Sequence, residues 1–436
     1  MLLLKKFIKK IKKYFSNQYF GFVQGHQYIK KNEIKKLEKF VGKKNEKIVI
    51  DFEKRFAKVI GAGDCISYAS ARMGFYEIMD VINIQKGDEI IILGATCSVM
   101  INAIKRKGAF PKYADIDKNT FGSDYRTIKK LINKKTKMII AQHSFGIPCN
   151  IEPIVDITKQ KKIFLLEDCA LTLGSSFKNI KVGNFGNAAI FSTDHTKPLN
   201  TLIGGMVYSK DKRIIKSLLS RHNNLSDLSE KKQKAIWHQF LKERKLRTIR
   251  NEGKVYLLNS INNLFKIFFR KIEPFLIEDY TTNFRTSYPY PSKMPSFLAA
   301  IGIIELRNWD IKKRQRIKNL NKLKALCEKF KIKIPDSYKN EELQIIPLRF
   351  VWENKNKALS FNLIDRVIDT SGFWFKEPII STSEPLENFN YKKGMCPLSE
   401  SVGKEIINIP CNLKDRDFSK LLVVLEEIFK NKKSKT

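Results

Sequence analysis

The sequence lacks the spacing of cysteines and histidines that metal sites and disulfide frameworks require. Its seven cysteines and five histidines are scattered along 436 residues, with neither a CxxC pair nor another ligand spacing. This pattern argues against a structural metal site, so we expect no metal. An odd number of dispersed cysteines also favours reduced thiols in a cytoplasmic protein. No apolar run is long enough to span a bilayer.

Acidic residues are scarce as well. The chain has 44 Asp and Glu against 82 Lys and Arg, which gives a formal net charge of +38. Such an excess is typical of proteins that bind nucleic acid, a membrane surface or an anionic substrate, although lysine spread evenly along a chain also reflects composition alone. Because no RNP, zinc-finger or helix-turn-helix motif is present, we expect no nucleic-acid partner.

The N-terminal residues 1–17 combine lysines with apolar residues at helical spacing. They lack the continuous apolar core of a signal peptide. A basic amphipathic segment of this kind is typical of peripheral contact with an anionic membrane, here at its inner, cytoplasmic face. A solvated helix, or a helix packed in a dimer, explains the same pattern equally well.

From about residue 51 the chain alternates between strand and helix patterns. Strands are predicted at 65–70, 87–93, 110–117, 137–144, 163–168 and 188–192. This alternation predicts βαβ units and an α/β fold with a mostly parallel sheet. Residues 296–330 predict one long helix that opens a second region.

Small or polar residues follow three of these strands, where ligands of open parallel sheets gather. Ser70 and Ala71 follow the first strand, Asp168 ends another, and Lys197 comes shortly after Ser192. Taken singly, Ser70 and Asp168 are explained as helix caps and Lys197 as a solvated lysine. Together they offer an amine, a carboxylate and hydrogen-bond donors, the groups that hold pyridoxal phosphate (PLP).

A series of motifs follows in a recognisable order. They are "ASARM" (69–73), "GDEIII" (87–92), "QHSFGIP" (142–148), "EDCA" (167–170), "KVGNFGNAAIFS" (181–192), "HTK" (195–197) and "IGGMV" (203–207). In this order they resemble the DegT/DnrJ/EryC1/StrS family of PLP-dependent enzymes, which are mostly nucleotide-sugar aminotransferases. The resemblance covers about residues 20–430, and the stretch from "EDCA" to the lysine is its most specific part.

The resemblance implies the type I fold of PLP-dependent transferases and a homodimer. Residues 18–295 would form a large cofactor-binding domain around a mostly parallel, seven-stranded type of sheet. Residues 296–436 would form a smaller α+β domain. The basic segment 1–17 lies outside the family pattern.

The resemblance also implies roles for individual residues. Lys197 would bind the cofactor aldehyde covalently and then move a proton, and Asp168 would pair with the ring nitrogen. The phosphate would be held by the hydroxyls of Ser70 and Ser192 and by the Ala71 N–H.

Several positions depart from the family pattern. Cys97 stands where an aromatic side chain stacks on the cofactor ring. The other departures are Ala69, Leu171, Leu202, Ile203 and "PSK" (291–293), which stands where an NxR element reaches the neighbouring subunit.

The function implied is transfer of an amino group from an amino acid, glutamate by expectation, to a keto sugar attached to a nucleotide. Surface-polysaccharide or lipopolysaccharide assembly is the expected pathway. One alternative is a PLP-dependent sugar dehydratase of the same family, although those enzymes typically carry histidine at the position of Lys197. Another is a degenerate, membrane-associated relative that binds a sugar nucleotide without turnover.

Overall fold

The computed structural model describes residues 22, 23, 25–247, 257, 258, 261, 272–355 and 357–433. The predicted membrane-contact segment, residues 1–17, lies outside this part of the chain. Within it, every helix is too short or too polar to cross a membrane.

Strands are short and mostly buried. They are β1 (Asp64–Tyr68), β2 (Glu89–Leu93), β3 (Thr96–Cys97), β4 (Phe110–Ala114), β5 (Thr136–Gln142), β6 (Phe164–Asp168), β7 (Ser176–Phe177), β8 (Ile180–Lys181), β9 (Ala188–Ser192), β10 (Gly205–Ser209), β11 (Leu343–Gln344), β12 (Arg349–Glu353), β13 (Ile379–Ile380) and β14 (Ile406–Pro410).

A seven-stranded sheet organises the fold, with the order β1-β10-β9-β6-β5-β2-β4. β10 runs antiparallel to both neighbours, and the other pairs are parallel. The predicted α/β architecture with a mostly parallel seven-stranded sheet is therefore confirmed. Shorter pairings join β11, β7 and β8, β12 with β14, and β13 with β3.

Helices cover the sheet and build the C-terminal region. They are α1 (Lys31–Glu38), α2 (Glu46–Ile60), α3 (Ala71–Val81), α4 (Ser98–Arg106), α5 (Tyr125–Leu131), α6 (Glu152–Lys161), α7 (Lys212–Asn223), α8 (Glu230–Leu246), α9 (Ser296–Arg307), α10 (Trp309–Lys329), α11 (Lys357–Ile364), α12 (Pro397–Glu405) and α13 (Asp415–Lys433).

The strand sequences explain why the sheet is covered on both faces. In β2, Ile90 and Ile92 pack into the core that contains α2, α3, α4 and α9. Between them, Ile91 points to the opposite face, where it packs with Ile128 of α5 and Ile154 of α6. A strand buried on both faces is read as a continuous apolar run. Full burial of each such side chain contributes about 1.5–3 kcal/mol.

The predicted long helix over 296–330 is two helices, which meet at Asn308. α9 is buried along almost its entire length and packs on α2, where a Cβ on Gly302 would lie 2.3 Å from the Phe52 ring. α10 is buried along one side only and packs on α13 through residues such as Leu323 and Leu425. The two halves of the segment therefore belong to different packing environments, which one straight helix would not allow.

A half-buried carboxylate links α2 to β1. Glu53 Oε1 accepts hydrogen bonds from the N–H and hydroxyl of Ser67, both at 2.7 Å. Burial outweighs these bonds and raises the pKa of Glu53 to about 7. Because the folded state holds this proton more tightly than the unfolded chain, stability falls as the pH rises from about 4.5 to about 7.

We expect Glu53→Gln to remove this pH dependence. The amide keeps an acceptor for Ser67 and carries no charge, so the variant should match the wild type near pH 4.5 and exceed its melting temperature increasingly up to pH 7. Thermal unfolding across this range measures the gap. Glu46→Gln, on the exposed start of the same helix, is the control and should show no such rise. A constant gap at all pH values would contradict the assignment.

Candidate active site

The carboxyl ends of β1, β6 and β9 meet at one cavity of about 610 Å³. The sheet register explains this, because Asp168 lies beside Ile190 of β9 and Ser70 forms a bridge with Gly204. All the site residues predicted from the sequence line this cavity: Ser70, Ala71, Cys97, Asp168, Ser192 and Lys197. The fold thus brings together groups that lie far apart in the chain.

The turn from β1 into α3 offers an unused donor to this cavity. Ser70 precedes α3, but its side chain makes no capping hydrogen bond, so the helix-cap interpretation is wrong. Its hydroxyl is buried without a hydrogen-bond partner, which destabilises the chain by itself. A Cβ on Gly205 would lie 2.2 Å from the Ala71 nitrogen, so glycine is what lets β10 approach the turn. The N-terminus of α3 consequently lies at the cavity wall.

The second group at this cavity is the carboxylate of Asp168. This residue ends β6 and is 6% exposed, and its Oδ1 accepts the Ala170 N–H at 2.9 Å. Burial raises the pKa of Asp168, while the hydrogen bond from the Ala170 N–H and the charge of Lys197 oppose the rise. A buried carboxylate at a cavity favours a cationic partner.

The neighbouring Glu167 holds the end of β6 in place. Its carboxylate accepts three backbone N–H groups of the loop 183–186, each at 2.7 Å. His143 accepts the Cys149 N–H at Nδ1, and its Nε2 therefore donates to Glu167 at 3.1 Å. Cys169 lies close enough to complete a three-residue cluster. These bonds occupy both Glu167 oxygens and both ring nitrogens of His143. We therefore interpret the cluster as one that holds the end of β6 in place.

Lys197 lies in the turn between β9 and β10. Its N–H donates to the Asp194 carbonyl at 2.9 Å, and its Nζ lies 5.7 Å from the centre of the Trp374 ring. Leu202, which stands where the family pattern has glycine, keeps a left-handed φ of +70°. That conformation costs about 1–2 kcal/mol for a residue with a Cβ. Gly204 follows with φ +135°, so the backbone of the turn is kept despite the substitution.

Cys97 gives the cavity no aromatic ring at the position where the resemblance expects one. It ends β3 and is half-buried, and burial raises the pKa of its thiol. Aromatic rings reach the cavity from other segments, from Phe275 and Tyr280 and, in the C-terminal region, from Trp374. Sequence analysis missed Trp374, because its place at the cavity depends on packing between segments distant in the chain.

Arg72 attaches the segment 276–280 to the start of α3, beside the cavity. Its guanidinium pairs with both carboxylate oxygens of Asp279 and also donates to the Leu276 carbonyl. Leu276 and Tyr280 of this segment line the cavity. The "PSK" stretch does not, because Lys293 instead forms a bridge with Tyr68 of β1. Asn283 and Arg285, the nearby residues that could replace the Asn and Arg of the missing NxR element, are exposed and lie outside the cavity wall.

His195 adds a titratable group close to Lys197. It lines the cavity, and its ring packs edge-on against Phe275 with centroids 4.7 Å apart. Its Nδ1 lies 3.7 Å from Oε1 of the buried Glu243. Burial opposes the imidazolium, but Asp194 and Glu243 outweigh burial and raise the pKa of His195. In turn, His195 outweighs burial and lowers the pKa of Glu243 to about 2.

The sequence match to known proteins extends over most of the chain. The family model described as the DegT/DnrJ/EryC1/StrS aminotransferase family matches residues 27–419. The chain belongs to this family.

Two curated relatives illustrate the likeness. GDP-perosamine synthase of Escherichia coli O157:H7 is 34% identical over 163 residues, which is 37% of this chain and 45% of the relative. A spore coat polysaccharide biosynthesis protein of Bacillus subtilis is 31% identical over 192 residues, 44% of this chain and 48% of the relative. The chain spans about half the length of the curated relatives it matches.

Solved structures share the fold over nearly the whole chain. An aminotransferase from Psychrobacter cryohalolentis has a TM-score of 0.69 at 16% identity and covers 92% of this chain and 96% of its own. The GDP-4-keto-6-deoxy-D-mannose-3-dehydratase of E. coli, solved with bound hydrated PLP, has a TM-score of 0.67 at 19% identity and covers 93% and 99%.

The cavity of this family member fits PLP. The unpartnered hydroxyl of Ser70 and the N-terminus of α3 suit a phosphate group. The buried carboxylate of Asp168 suits a protonated ring nitrogen, and Lys197 supplies an amine that can bind an aldehyde. These groups all line the same cavity.

We expect Ser70→Ala to weaken PLP binding by about 10- to 100-fold without destabilising the cofactor-free protein, because the hydroxyl has no protein partner to lose. Fluorescence titration with PLP and thermal unfolding without it provide the two measurements. In Ser175→Ala, by contrast, the lost hydroxyl is bonded to Gly146 and Ile346 outside the cavity. That control should lose stability and retain PLP affinity. A Ser70 variant with wild-type affinity would refute the assignment.

Proposed function

We propose that this protein is a PLP-dependent aminotransferase. It would move an amino group from an amino acid, glutamate by preference, to a keto sugar attached to a nucleotide. The observation that carries the proposal is the convergence of Lys197, Asp168 and the unpartnered Ser70 hydroxyl on one cavity. If Lys197 were an ordinary surface lysine and Ser70 and Asp168 ordinary helix caps, the three side chains would have no reason to line the same cavity.

Each group has a distinct task in the proposal. Lys197 Nζ would hold the cofactor through its aldehyde, and the same amine, once released, would move a proton between the substrate carbon and the aldehyde carbon of the cofactor. Asp168 keeps the ring nitrogen protonated by ion pairing. Ser70, Ser192 and the Ala71 N–H hold the phosphate, and Cys97 lies beside the ring. When bound, PLP supplies the aldehyde and the electron-withdrawing ring that the chain itself lacks.

The nucleotide sugar and the polysaccharide pathway are inferred from relatives. GDP-perosamine synthase and the spore coat polysaccharide biosynthesis protein both match this chain in sequence. The net charge of +38 suits an anionic substrate. Lys197 favours transamination over the dehydratase alternative, in which histidine typically stands at this position.

We propose that the enzyme is a cytoplasmic homodimer that contacts the inner face of the membrane through residues 1–17. All seven cysteines are free thiols, which suits a reducing compartment.

We place the boundary between the large and small domains at Asn308 rather than at 295/296, because α9 packs on α2 and α10 packs on α13.

Lys197→Ala should abolish the visible absorbance that the wild type acquires with PLP, because Lys197 supplies the amine that binds the cofactor aldehyde. Absorption spectroscopy of purified protein tests this. Lys210→Ala is the matched control, since Lys210 is exposed and bonded to the Asn184 carbonyl outside the cavity.

Addition of glutamate to the wild type distinguishes the remaining functions. An aminotransferase should lose the visible absorbance and release 2-oxoglutarate. Absorbance that no amino donor changes would favour the dehydratase or the non-catalytic relative. A wild type that never absorbs would overturn the PLP assignment.

A separate prediction concerns residues 1–17. The full-length protein should pellet with vesicles that contain anionic lipid, and a variant lacking these residues should stay in the supernatant, because the basic apolar face is lost. Co-sedimentation measures both, with neutral vesicles as the control. Equal pelleting of the two proteins would reject the membrane contact.

A further inference from the structure

A second arginine reaches the cavity without a counter-charge. Arg349 begins β12, lines the cavity and is 6% exposed. Its Nη1 donates to the Gly372 carbonyl at 2.6 Å and to Asn408 Oδ1 at 2.8 Å. Its guanidinium also lies 4.2 Å from the centre of the Phe22 ring. Among the described residues, no carboxylate pairs with it, and its Nε and Nη2 donate to no protein atom.

The environment of Arg349 penalises its charge. Burial lowers the pKa of its guanidinium to about 9. The contrast with Arg72 is informative, because that arginine lines the same cavity but is neutralised by Asp279. A buried cation without an ion-pair partner costs several kcal/mol unless a ligand brings the opposite charge.

An independent observation points to the same wall. The indole Nε1 of Trp374 is buried without a hydrogen-bond partner, and Trp374 lines the cavity. Asn408 links the two residues, because its Oδ1 accepts both the backbone N–H of Trp374 at 3.2 Å and Arg349 Nη1. The centre of the Trp374 ring lies 5.7 Å from Lys197 Nζ, so the indole is next to the predicted cofactor lysine.

We propose that Arg349 and Trp374 form a subsite for an oxyanion of a co-substrate, either a carboxylate or a phosphate. The identity of the ligand as a co-substrate rests on the proposed function. The Nε–Nη2 edge of Arg349 is the edge left free by Asn408 and Gly372. Two parallel N–H donors on one edge match two oxygens of a carboxylate or phosphate. The indole N–H supplies a third donor, and Asn408 is the positioning residue.

Calorimetric titration of the PLP-loaded, full-length protein tests the subsite without turnover. The probes are glutarate, which carries the carboxylates of an amino donor without the amine, and guanosine, uridine and thymidine diphosphates. Arg349→Gln should bind one class of probe about 10- to 100-fold more weakly, the loss expected for a charge-assisted, bidentate contact. Weaker glutarate binding assigns a carboxylate, and weaker nucleotide binding assigns a phosphate.

Two further variants separate the subsite from a general loss of structure. Arg349→Lys keeps the charge without the fork, so its affinity should lie between those of the wild type and Arg349→Gln. Arg316→Gln is the matched control, because Arg316 is equally buried and donates to the Pro347 and Leu348 carbonyls, yet lies outside the cavity wall. This control should bind both probe classes as the wild type does.

The visible absorbance of bound PLP is read on the same samples. Normal absorbance with unchanged probe affinity in Arg349→Gln would overturn the subsite alone, as would equal losses in the Arg316 control. A wild type that absorbs but binds neither class of probe would overturn it too. Missing absorbance in the wild type would instead overturn the proposed function, because the cofactor would then be absent.

Discussion

Buried polar groups that the chain leaves incompletely paired are the constraint on which this site depends. The Ser70 hydroxyl has no partner, and the Arg349 guanidinium has no carboxylate among the described residues. Asp168 is buried beside them with a raised pKa. Each of these costs free energy in the chain alone. Because all three line one cavity, PLP would offset the cost at Ser70 and Asp168, and an anionic co-substrate bound beside it would offset the cost at Arg349.

The cavity joins two hydrophobic cores. Ser70, Asp168 and Lys197 stand on the seven-stranded sheet, whereas Arg349 and Trp374 come from the region around β12 and β14. A ligand held by both groups bridges the two regions. Within the first core, the ion pair of Arg72 with Asp279 fastens the segment that contains Leu276 to the start of α3.

Much of the fold and part of the site were predictable because their causes are local. Apolar runs bounded by turns predicted the strands that end at Asp168 and Ser192, and the motif order predicted the family. Residues such as Arg349 and Trp374 carry no such local signal. The break at Asn308 was missed for the same reason, because the helical pattern continues through it while the packing partners of α9 and α10 differ.

The sequence by itself determined the order of strands and helices and which residue types stand at the strand ends, since periodicity and local motifs encode both. Only the tertiary structure decided which buried groups stay unpaired. Arg72 and Arg349 both line the cavity. Among the described residues, only Arg72 has a carboxylate partner, the distant Asp279. Charge balance in a buried cavity depends on contacts between segments hundreds of residues apart, which no local pattern specifies.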